Sequence, residues 1–130
     1  MEYPLSEIID RLSILILKCE RFPKHMRPIE ERDRFLAAFN EMRPQDIRKT
    51  GWLVDQTQIN GLIWDLEAAI RQGKEGELGL EEVGRRAIRL RDLNAERVRR
   101  KNQIAQVMGE YREVKHDHAS AVLRASPSAA

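Results

Sequence analysis

Two long helix-like runs, Gly51 to Gln72 and Leu80 to Met108, are joined by seven residues, Gly73 to Gly79. A polar connector that short returns the second run antiparallel beside the first. The first run carries apolar residues at Trp52, Ile59, Leu62, Ile63, Leu66, Ala69 and Ile70. The second carries them at Leu80, Val83, Ala87, Leu90, Val98, Ala105 and Met108. Spacings of three and four are the helical period. Thr50 is the candidate N-cap of the first run and Gly73 its candidate left-handed C-terminal cap. Gly109 ends the second, and Glu81 and Glu82 in its first turn complement the helix dipole.

Upstream, Ser6 to Phe22 reads as a helix. Leu5, Ile8, Ile9, Leu12, Leu15, Ile16 and Cys19 form one face, and Ile14 and Leu17 fall on another, beside Asp10. A helix apolar on two sides is central to a bundle, or carries a seam for a second copy. Pro23 ends it. A shorter helix follows from near Pro28 to Pro44, and Gln45 to Lys49 adds a candidate extra turn. The fold class is therefore all-α: a helical bundle built on a long antiparallel hairpin with an N-terminal central helix. Residues 1–120 read as one domain and 121–130 as a flexible tail.

Composition narrows the classes. The 130 residues are 42% hydrophobic and 34% charged, too apolar for a disordered chain and too charged for a membrane protein. No span or secretory leader is evident, and the single cysteine, Cys19, fits a reducing cytoplasm. Net charge is +2, from 23 basic and 21 acidic residues. Eight of the basic residues lie between Arg85 and Lys101, against Asp92 and Glu96. That invites a nucleic-acid reading. The acids share the outer face with Arg85, Arg89 and Arg100, and no aromatic side chain interleaves to stack on bases. Nucleic acid is the disfavoured partner.

The candidate chemistry lies where polar side chains interrupt the apolar stripes. Asn60, Trp64, Glu67 and Arg71 form one strip at steps of four, three and four. The bland account pairs Glu67 with Arg71 and packs Trp64 on a neighbour. In the second run Asn94, Arg97 and Lys101 continue from Leu90 on the stripe itself. An unpaired buried cation costs several kcal/mol, so these two need partners. Asp10, Asp55, Glu67 or an anionic ligand are the candidates. Arg11 adds a cation beside Asp10. An internal ion-pair network that fixes helix register is one reading. The others are a bound phosphorylated or carboxylated small molecule, or an enzyme acting on such a metabolite with Asp10, Asp55 or Glu67 as acid or base. No nucleophile–histidine–acid pattern appears. The chain also lacks the paired E-x-x-E and E-x-x-D helices of all-helical nucleotide pyrophosphohydrolases. His116-Asp117-His118 offers two ligands and no third, so no metal site is expected. No cofactor is implied. A homodimer through Ile14 and Leu17 is a candidate assembly.

Four blocks carry a resemblance: Pro4 to Ser13, Ile59 to Glu67, Gly73 to Asn94 and Lys115 to Ser120. Together they look like a family of small, uncharacterised all-helical bacterial proteins. The likeness spans most of the chain except residues 22–50 and the last ten. It implies a helical fold and a role for Asp10, Arg11, Asn60, Trp64, Glu67, Arg97 and Lys101, without an activity. The first helix also resembles the I-D-x-x-D opening of helical chorismate mutases, but Ser13 stands where the second acid belongs.

Overall fold

A computed structural model describes residues 2–73 and 75–110. The Lys115–Ser120 segment and the expected tail lie outside the described residues. Four long helices and one extra turn account for most of the rest. They are α1 (Leu5–Arg21), α2 (Met26–Glu41), α3 (Arg48–Gly73), α4 (Glu75–Leu78) and α5 (Leu80–Val107). No strand occurs among the described residues. The all-α bundle is the architecture.

α1 is the centre, packing on α2, α3 and α5. Leu5, Ile8, Ile9 and Leu12 are fully buried, and they meet Phe39 of α2 and Ile104 of α5. Burying each such side chain is worth roughly 1.5–3 kcal/mol, so this row dominates the core. Leu17, expected on a second face, is buried too. Its Cδ2 lies 3.7 Å from where a Cβ would sit on Gly61 of α3. Leu17 therefore packs inside the chain, while Ile14 is half-buried.

Helix ends follow local chemistry. α1 begins after Pro4, which offers no side-chain cap. The carboxylate of Glu110 supplies one, accepting the N–H groups of Leu5 at 3.1 Å and Ser6 at 2.8 Å. Gly109 makes this reach possible. It adopts φ 76°, and the chain folds back so that Glu110 N–H donates to the Ala105 carbonyl at 2.7 Å. That is a Schellman ending, which favours glycine at the left-handed residue.

α3 starts earlier than expected. Thr50 lies inside it, and Asp46 does the capping: its Oδ1 accepts Arg48 N–H at 3.0 Å. An Arg48 guanidinium on the same carboxylate holds that group well below the usual range. Starting at Arg48 places Lys49 under the end of α2. Its buried ammonium donates to the Phe39 and Met42 carbonyls, two of the groups α2 leaves open. Desolvation lowers its pKa. At the other end, Gly73 is the last residue of α3. The connector contains the helical turn α4, and Gly79, with φ 84°, breaks the path before α5.

Helix lengths differ. At 1.5 Å per residue, the 17 residues of α1 span roughly 25 Å, while α3 and α5, with 26 and 28, span about 40 Å. The C-terminal end of α1 reaches Trp64 and Asp65, where Arg21 meets both. Beyond that level α3 and α5 continue as a two-helix arm.

Candidate functional site

Three helices bring polar side chains to one buried point. Asp10 of α1 is 6% exposed, with Ser13 fully buried one turn on. Gln56 and Asn60 are one turn apart on α3 and so share a face. Gln56 Nε2 donates to Asp10 Oδ1 at 3.0 Å and Asn60 Nδ2 at 3.3 Å. Asn60 also donates to the Ser13 hydroxyl at 2.8 Å, and that hydroxyl donates to the Asp10 carbonyl. From α5, Arg97 brings its guanidinium to 3.6 Å from Asp10 Oδ2. That is an ion pair beyond hydrogen-bond length. Gln56 Nε2 also approaches the Arg97 carbonyl, at 3.3 Å.

One turn toward the start of α1, Glu7 holds two further cations. Arg11 donates to it at 2.7 Å, and Lys101 of α5 binds its other oxygen. Burial would raise the Glu7 pKa. Hydrogen bonds from Lys101 and Arg11, with the charges of both, outweigh that and hold it below its ordinary value. Arg11 also lies 4.4 Å over the Tyr3 ring. The cluster thus contains two carboxylates, Glu7 and Asp10, and three cations, Arg11, Arg97 and Lys101. Its formal charge is one positive.

Two atoms in this neighbourhood lack partners among the described residues: Arg97 Nε and Gln56 Oε1, both buried. A buried donor without an acceptor costs about 1–3 kcal/mol. The Arg97 side chain is 29% exposed and that of Lys101 15%, so the cationic edge of the cluster borders solvent.

Asp10, Asn60 and Arg97 come together, and Arg11 and Lys101 join them through Glu7. The other expected residues stand apart. Trp64 lies at the far end of α1, 6.0 Å from the Phe22 ring, with Arg21 over its face. Glu67 and Arg71 lie further out on the arm. Arg71 is exposed, and no ion pair joins it to Glu67 among the described residues. Asn94 donates to the Leu90 carbonyl of its own helix at 3.2 Å rather than to the cluster.

Glu7, Gln56 and Ser13 were not expected here. Glu7 and Ser13 lie three residues either side of Asp10, which places them on its face of α1. Gln56 lies one turn before Asn60. The spacing that singled out Asn60 thus points to Gln56 as well. Asp55, considered as a partner for the cations, is exposed; its backbone carbonyl accepts from Arg100 at 3.3 Å.

Between α3 and α5, a cleft of about 340 Å³ opens beside Gln56. Arg99 and Arg100 line it, matched by Asp55 and Glu96. Both arginines bind Glu96, whose carboxyl is pulled down to about 2 by those hydrogen bonds. The lining carries no net charge. The basic run is paired along much of its length: Arg85 with Glu81 and Glu82, Arg86 with Glu82, and Arg91 with Asp92. Among the described residues no group of three or more histidine, cysteine or carboxylate side chains could hold a metal. No helix there is long and apolar enough to cross a membrane. The chain matches no family model, no curated protein sequence and no solved structure.

Proposed function

We propose that the chain is a small helical binding and assembly module whose Asp10 cluster accepts a phosphorylated or carboxylated small molecule at its cationic edge. The observation that carries this reading is the incomplete pairing of Arg97. Its contact with Asp10 is 3.6 Å long, and its Nε is buried without an acceptor among the described residues. A guanidinium presents a planar fork suited to two oxygens of a carboxylate or phosphate. Lys101, one turn on, adds a point charge on the same side. The surplus positive charge of the cluster favours an anion over a neutral guest.

A second reading has its own support. Asp10 already accepts two amide donors, and Lys101 already has Glu7. A cluster of this kind is able to serve purely to fix the register of α1, α3 and α5.

A thermal-shift series in inorganic phosphate, a sugar phosphate and a dicarboxylate, at matched ionic strength, separates the two. A ligand at a hundred times its Kd adds about 2.7 kcal/mol, roughly 10 °C for a chain of this size. The binding reading predicts a saturable rise that disappears in Arg97→Met and persists in Arg86→Gln. No rise with any of the three anions leaves the register reading standing and removes the binding one. Loss in Arg86→Gln with a steep salt dependence would point to the basic helix and a polyanion instead.

A further inference from the structure

The first half of α5 has a second apolar side, turned away from the bundle. Leu80, Gly84 and Ile88 follow at steps of four, and Ala87, Arg91 and Ala95 share their face. This face points away from the bundle: Leu80 is 77% exposed and Ile88 53%, and a Cβ built on Gly84 would meet nothing within 4 Å. The opposite side of the same stretch carries Val83 and Leu90, half-buried, with Arg86 between them. This stretch thus carries apolar residues on both sides, where the usual surface helix keeps its outer side polar.

The surroundings reinforce the contrast. After Ile63 of α3 and before Ile104 of α5, no residue with a described side chain is buried. The two-helix arm therefore has no closed core of its own. Single exposed apolar side chains are ordinary, but Leu80 and Ile88 on one face of an arm without a core, with only small side chains between them, mark an interaction surface.

Charge along the arm identifies the occupant. Its tip is acidic, with Glu77, Glu81 and Glu82. The stretch below is basic, with Arg85, Arg86, Arg89 and Arg91. A partner helix running antiparallel, with basic residues opposite the tip and acidic ones opposite the arginines, is what this stretch itself becomes when inverted. We propose that α5 self-associates, in an antiparallel two-fold contact centred on Gly84. With the axis there, Leu80 of one copy lies over Ile88 of the other. Arg91 of each extends past the start of its partner's α5, toward Glu81 in the partner's first turn. The missing side chain at Gly84 lets the two helices approach to the short end of the usual 8–10 Å separation. The same patch used twice is the isologous geometry of most homodimers. A parallel pairing would set like charge against like. The contact uses different residues from the Asp10 cluster and stands or falls independently of anion binding.

Sedimentation equilibrium of the full chain at 10–100 µM tests the state, and two variants test the place. Wild type is expected to be a dimer. Ile88→Lys, which alters an exposed position and should keep the helical circular dichroism spectrum, is expected to weaken the dimer at least tenfold. In a Cys19→Ser background, Gly84→Cys is expected to form an intermolecular disulfide under mild oxidation, and Gln58→Cys on α3 is not. A wild-type monomer across this range overturns the proposal. So does a dimer that Ile88→Lys leaves intact and that Gly84→Cys does not cross-link.

Discussion

Asp10 is the residue on which three helices depend. It is charged and buried, and its neutralisation is divided among two amides and a guanidinium. Removing one partner of a buried pair costs more than the pair contributes, because the other is left without compensation. Asp10→Ala is expected to lower unfolding free energy by about 3 kcal/mol, measured by urea denaturation. Arg97→Met in the same chain should recover part of that loss, since the stranded cation goes with it. Strict additivity of the two would show that they do not interact.

Glu7 gives a pH signature. Its folded pKa lies below its unfolded one, so the folded state binds fewer protons. The stability it adds is fully present above about 4.5, its ordinary value, and is lost as pH falls through the lower folded value. Melting temperature should therefore drop more steeply below pH 4.5 in wild type than in Glu7→Gln. Parallel profiles in the two proteins would contradict the Lys101–Glu7–Arg11 contact.

At the scale of elements, the ends explain more than the middles. The apolar repeat of α1 was legible because its period is strict and its central position needs two apolar faces. The start of α3 was not. Thr50 is an adequate cap, but Asp46 combines a carboxylate on the Arg48 N–H with an ion pair to the Arg48 side chain. Sequence order alone does not rank such competing caps. The turn at Glu75–Leu78 was hidden by glycine-rich composition that normally signals loop. Glu110 was legible only as the residue after a terminating glycine; its capping of α1 joins positions 105 residues apart. Glu110→Ala removes an acceptor from two N–H groups at a helix start and is expected to cost about 1–2 kcal/mol. Native-state hydrogen exchange should show it as faster exchange at Leu5 and Ser6. Unchanged protection there would contradict the cap.

At the scale of the molecule, the bundle and its hairpin were legible in hydrophobic period and connector length. The composition of the buried cluster was half legible. Arg97 and Lys101 declared themselves by interrupting an apolar stripe. Asp10, the partner of Arg97, stood among three candidate acids, while Glu7, the partner of Lys101, depends on how α1 is rotated against α5, which no local pattern encodes. Asn60, Trp64, Glu67 and Arg71 form one strip on α3, yet the strip runs along the helix past the end of α1. Only its Asn60 end reaches Asp10, and the rest lies on the arm.

The binding reading comes down to whether the Arg97 guanidinium takes an outside anion. The most direct measurement is the Arg97 side-chain Nε–H resonance by NMR, identified by its disappearance in Arg97→Lys, during titration with inorganic phosphate at constant ionic strength. Binding at Arg97 predicts a saturable downfield shift of this signal, with those of Arg85 and Arg99 unmoved. An Arg97 signal that stays fixed, or that moves only in step with the surface arginines, would contradict it.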